Sequence, residues 1–161
     1  MAMVIREALI GDVPTVLAML RESAFEQGFE DAVAVTEADM VEDGFGPAPR
    51  FYVLLAELDG LPAGMALYFF NYSTWGSRDG LYLEDLYVGS AFRRRGVGRA
   101  LLVRLAQIAL ARGCGRFQWV VHGGNASAVR MYEAAGAEPL TEWRLMSLKG
   151  DAIARLAASS E

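Results

Sequence analysis

The chain has a single cysteine, Cys114, and a single histidine, His122, in 161 residues. One cysteine forms no internal disulfide, which suits a reducing, cytoplasmic setting. With only these two soft ligands, no metal site is expected. No apolar stretch approaches the ~20 residues of a membrane helix, so no membrane partner is expected. Met1 to Ile10 lacks the long apolar core and small-residue cleavage site of a secretory leader. Two familiar phosphate loops are missing as well. The Walker loop needs Gly-Lys-Ser/Thr, and the dinucleotide loop needs a third glycine where Leu101 stands. The formal net charge of −5 argues against nucleic acid as a partner, because phosphate backbones are held by widespread positive charge. No internal repeat, linker or low-complexity segment interrupts the chain.

What is present is enough apolar material for a core. Hydrophobic residues make up 53% of the sequence, which predicts one domain over 1–161 with apolar surface to spare for dimerisation. Met3 to Ala8 reads as a strand. Asp12 can cap a helix to about Glu26, with Val13, Val16, Leu17, Leu20 and Phe25 as its apolar stripe and Arg21, Glu22 and Glu26 in water. Thr36-x-x-Asp39 has the form of a capping box, predicting a short helix over Glu37 to Asp43 that Gly44 and Gly46 end. Phe51 to Leu58 and Ala63 to Tyr72 form a hairpin candidate around Asp59-Gly60. A strand from Leu81, a helix over Ala100 to Ala111 closed by Gly113, and a parallel strand over Arg116 to His122 follow. Asn125 can cap a helix through Ala135. Leu140 to Leu148 reads as a last strand, Asp151 to Ala157 as a helical turn, and 159–161 as a frayed end. The order β-α-α-β-β-β-α-β-α-β is mixed α/β.

The chain is organised around Tyr82 to Arg99, which reads as strand, basic turn and helix start. Gly96 and Gly98 let backbone amides approach a ligand, the first turn of a helix attracts anions, and Arg93, Arg94, Arg95 and Arg99 add positive charge. Such a turn suits a pyrophosphate. On spacing alone a basic helix start capped by glycines is the simpler reading. An acidic protein with one basic spot can hold an anionic cofactor and a cationic acceptor in different places.

Arg93-x-x-Gly96-x-Gly98 after a strand resembles the acetyl-CoA pyrophosphate motif of the GCN5-related N-acetyltransferases (GNAT). The likeness extends through Thr36-Glu37, Glu42 to Gly46, Phe51-Tyr52, Tyr72 to Trp75, Tyr82 to Asp85 and Tyr132-x-x-x-Gly136-Ala137 to the diamine N-acetyltransferases. It implies a central mixed β-sheet flanked by helices, in which the strands 81–88 and 116–122 splay apart to hold acetyl-CoA. By the same resemblance Leu86, Tyr87, Val88, Arg93, Arg94, Arg95, Gly96, Val97, Gly98, Arg99, Asn125, Ala128 and Tyr132 contact the cofactor. Glu84 matches the general base, acting through water, and Tyr132 the general acid. Glu26, Gln27, Trp75, Glu84, Asp85, Gln118, Trp119, Val120 and Glu142 match acceptor-binding positions, Trp75 as an aromatic wall. Family members are typically homodimers.

The chemistry agrees with these types of residue. An alkyl amine with pKa ~10.4 is free base only about once in 10³ molecules at pH 7, so a base is useful. A thiol with pKa ~8.5 leaves readily, so the acid has a modest task. Glu84 and Asp85 are adjacent, and in a regular strand only one of them lines a given pocket. Ser73-Thr74-Trp75 resembles the thialysine branch of the family, whereas the spermidine/spermine branch has an aspartate before the tryptophan. That favours thialysine or another small lysine-like primary amine over spermidine. A CoA-binding sensor with no turnover and an acetyltransferase of protein amines are the alternatives. Cys114 and His122 are assigned no role.

Overall fold

The computed structural model describes residues 2–159; residues 160 and 161 of the expected frayed end lie outside the described residues. The chain divides into two compact units, 1–124 and 125–161.

The first unit carries a five-stranded sheet in the order β1-β2-β3-β4-β5. Its strands are β1 (Met3–Glu7), β2 (Tyr52–Leu58), β3 (Leu61–Ser73), β4 (Arg78–Val88) and β5 (Arg116–Gln118). The first four are antiparallel neighbours, and β5 joins β4 in parallel. The β2–β3 turn is Asp59-Gly60, both with positive φ (52° and 80°), as a tight hairpin requires. Helices α1 (Val13–Glu26) and α2 (Glu37–Phe45) cover one face, and α3 (Val97–Ala111) covers the other. The α1 side is a core of Val13, Val16, Leu17, Met19, Leu20 and Met40 against Val53, Leu55, Met65, Leu67 and Tyr87.

Several boundaries depart from the sequence reading. Phe25 is 69% exposed rather than in the α1 stripe, because it follows the last core contact, Leu20, and flanks a surface cavity. Asp12 does not cap α1 with its side chain. Its carboxylate instead accepts from Leu9 N–H at 2.7 Å and from Arg6, which also reaches Glu57, so the entry to α1 is pinned to β1 and β2. The capping box forms as expected, with Asp39 N–H on Thr36 Oγ1 at 3.2 Å and Thr36 N–H on Asp39 Oδ2 at 2.9 Å. Gly44 lies inside α2 rather than ending it, and a Cβ there would stand 2.6 Å from the Phe51 ring. Its role is packing. The strand expected over 116–122 stops at Gln118 because its partner β4 pairs with it only at Gly80, Leu81 and Tyr82.

The second unit holds α4 (Ala126–Ala134) and α5 (Asp151–Ala157). Asn125 caps α4, its side-chain oxygen accepting from Ala128 N–H at 3.1 Å, and Gly136 follows with φ 91°. Leu140 to Leu148 is not a strand. Leu145 is 81% and Met146 84% exposed.

Candidate active site

Strand β4 is held on one side by β3 along its whole length, from Arg78 opposite Ser73 to Val88 opposite Gly64. On its other side β5 supplies partners only as far as Tyr82. From Leu83 to Val88, therefore, β4 continues while β5 has ended, and Trp119 and Val120 run on past Gln118 without a ladder to β4. On that side the backbone groups of Leu83 to Val88 have no β5 partner.

At the start of that stretch the strand is irregular. Tyr68 pairs with Leu83 and Leu67 with Asp85, so Glu84 is an extra residue with no opposite number. Such a bulge re-aims side chains. Before it, Leu81 and Leu83 face α3, like their partners Phe70 and Tyr68. After it, Asp85 and Tyr87 face α1, like Leu67 and Met65. The alternation that would have set Glu84 and Asp85 on opposite faces is broken between them. Glu84 is exposed and Asp85 half-buried. Burial, and then the charge of Glu84, push the Asp85 carboxyl up to about 6. Burial and the same Glu84 charge push the Tyr82 phenol up, so Glu84 acts on groups both before and after it in the strand.

The basic turn leads from β4 to α3. Arg94 (φ 60°) and Gly96 (φ 85°) are both left-handed, which curls the loop so that Gly96 caps α3. The first bond of the helix runs from Ala100 N–H to Gly96 C=O. The amides of Val97, Gly98 and Arg99 thus precede any acceptor inside the helix and point along its positive end. A Cβ on Gly96 would meet nothing within 4 Å. Donor groups and the helix dipole fit a diphosphate. Arg94, Arg95 and Arg99 are exposed, with Arg95 3.8 Å from Asp59.

Arg93 does something else. Its Nε donates to Val88 C=O at 3.0 Å, and its Nη2 donates to Glu26 at the end of α1. The Tyr87 hydroxyl lies 3.1 Å from Glu22 and 3.2 Å from Glu26. Burial first, then these two carboxylates, push that phenol up to about 12, so it remains a donor. Arg21, Glu22, Phe25, Glu26, Tyr87 and Ser90 line a cavity of about 460 Å³. The structure thus joins Glu26, Tyr87 and Arg93, and places Glu84 beside Asp85. Trp75 is 90% exposed on the hairpin turn after β3.

In the second unit, Asn125 and Ala128 form the α4 cap described above, and Tyr132 follows within the helix, half-buried. Burial pushes its phenol up, which keeps it protonated above neutral pH. Glu142 is exposed.

Residues 15–137 match the model of the acetyltransferase (GNAT) family. The chain belongs to that family. It is an N-acetyltransferase, and acetyltransferases of this family take the acetyl group from acetyl-CoA. It is 38% identical to thialysine N-epsilon-acetyltransferase of Sus scrofa over 97% of this chain and 98% of the other. It is 40% identical to L-ornithine N5-acetyltransferase of Arabidopsis thaliana over 59% of this chain and 42% of that one. An integron cassette protein from the mobile metagenome of V. cholerae shares the fold, with TM-score 0.81 and 24% identity over 99% of both chains.

Two contacts are not legible in the sequence: the Tyr87 hydroxyl with Glu22 and with Glu26, both acids being exposed on α1 as expected. Glu22 and Glu26 are like charges four residues apart in the last turns of a helix, where the dipole disfavours acids and no basic residue follows.

Proposed function

We propose that this acetyltransferase acetylates the terminal primary amine of a small lysine-like molecule, with thialysine ahead of spermidine. The observation that carries the proposal is the bulge at Glu84, which sets two carboxylates where β4 and β5 part. Glu84, in water, takes the amine's proton through a bridging water. Asp85, shielded from solvent, draws the ammonium form of the acceptor into place. Glu26, Gln27, Gln118, Trp119, Val120 and Glu142 belong to the acceptor side of this reading.

The amides of Val97 to Arg99, with Arg93 to Arg95 around them, hold the diphosphate of acetyl-CoA. Backbone groups of Leu86 to Val88, with Asn125 and Ala128, hold its arm. Acetyl-CoA supplies the acyl group already activated as a thioester. Tyr132 keeps its phenolic proton and gives it to the departing sulfur. The names of the relatives support the choice of acceptor, since thialysine and ornithine are both short amino acids with a terminal amine.

Initial rates with thialysine, lysine, putrescine and spermidine test the acceptor. Thialysine is expected to have the highest kcat/KM of the four. Spermidine faster by about tenfold, or 1.4 kcal/mol of transition-state preference, would replace this reading with a polyamine one.

A homodimer is part of the proposal. The exposed apolar segment around Leu145 and Met146 has the pattern of a strand in search of a partner. Light scattering is expected to give twice the chain mass. A fully active monomer at assay concentration rules this part out.

A further inference from the structure

We infer that the Glu26–Arg93 ion pair couples the two substrate sites: it occupies both groups when the cofactor loop is empty, and the diphosphate, by drawing Arg93 away, frees Glu26 for the cationic acceptor. The inference rests on the proposed reading of Arg93 as a cofactor residue and Glu26 as an acceptor residue, and adds that they hold each other.

Three observations carry it. Glu26 ends α1 and Arg93 begins the basic turn, so the pair joins the acceptor-side helix directly to the phosphate loop. The same arginine also donates to Val88 C=O, on the stretch of β4 that β5 leaves unpaired, so it sits on the path a cofactor arm would take. Finally, Tyr87 has one hydroxyl proton and two carboxylates within reach, Glu22 and Glu26. When Glu26 turns to an ammonium group, Tyr87 donates to Glu22 instead and loses nothing. Tyr87 and Glu22 are therefore positioning residues that keep the exchange free of an unpaired buried phenol.

The strength of the pair suits an exchange. Its side chains are 46% and 38% exposed, so solvent screens the attraction and the pair is weak. A doubly charged diphosphate lying against the same guanidinium, with helix amides beside it, outcompetes one carboxylate. Linkage then requires the effect to be mutual: whatever factor the cofactor adds to acceptor affinity, the acceptor adds to cofactor affinity.

The test measures CoA affinity, using CoA without an acetyl group so that nothing turns over, in the full-length protein and in Glu26→Gln, Arg93→Gln and the double variant. Glu26→Gln removes a competitor for Arg93 and is expected to tighten CoA about fivefold, as suits a surface ion pair. Arg93→Gln weakens CoA, and in that background Glu26→Gln has no further effect. In the unaltered protein, saturating CoA raises thialysine affinity several-fold, and in Glu26→Gln it does not. Equal CoA affinity in the unaltered protein and Glu26→Gln overturns the coupling while leaving the cofactor loop intact. Failure of the unaltered protein to bind CoA at all overturns the loop assignment instead, so the two failures are distinguishable.

Discussion

Glu84→Gln is expected to lower kcat/KM for thialysine at pH 7 by about 10²- to 10³-fold, the range for loss of a general base. The deficit has a pH signature. An amine with pKa ~10.4 is almost wholly protonated at pH 7, and the enzyme must both recruit and deprotonate it. As pH approaches 9.5 the free base becomes a substantial fraction of the acceptor, and the variant's deficit shrinks toward about tenfold. A deficit that stays constant from pH 7 to 9.5 would show that Glu84 shapes the site without moving a proton. Tyr132→Phe is the companion measurement. A thiol leaves well without help, so about a tenfold loss in kcat with unchanged CoA affinity is expected. Because burial raises the Tyr132 phenol, the unaltered enzyme keeps this proton throughout the range in which Glu84 works as a base.

Asp85→Asn is expected to lose about 10²-fold in kcat/KM, mainly through KM, as suits removal of a hydrogen bond to a charged group. In the unaltered enzyme kcat/KM rises as pH passes through about 6, where Asp85 ionises; the variant loses that limb. The same substitution is expected to stabilise the fold. Asp85 holds its proton more tightly when folded, with a value of about 6 against 3.8 for a free side chain. Between those values the native state keeps a proton that the unfolded chain has lost, so stability falls as pH rises through the window and stays lower above it. That interval corresponds to about 3 kcal/mol at most. Asparagine escapes it. Denaturant unfolding of both proteins at pH 3.5 and pH 8 checks the sign: the variant gains at pH 8 and not at pH 3.5. A gain of equal size at both would trace the effect to packing. Stability given up to keep a buried carboxylate ionised is a recurring feature of active sites.

These two variants are informative because a bulge places their targets together. Alternation along β4 predicts opposite faces for Glu84 and Asp85, and the one-residue slip between Tyr68–Leu83 and Leu67–Asp85 cancels it. Nothing within Tyr82 to Val88 announces the slip, since a bulge is a property of two strands in register and not of one. The Glu26–Tyr87–Arg93 contact is of the same kind, joining residues 61 and 67 positions apart in sequence.

By itself, the sequence determined whatever depends on neighbours along the chain. The Thr36–Asp39 box, the Asn125 cap, the Asp59-Gly60 turn and the anion-binding start of α3 are local arrangements, settled by backbone preference and hydrogen bonds over three or four residues. Family membership was legible for the same reason, because its motif is the turn before α3. Tertiary structure alone decided the extent of β5 and the company kept by Glu22, Glu84 and Asp85. Each depends on a partner distant in sequence, and an apolar run or an acidic pair looks the same in the chain whether or not that partner is there to meet it.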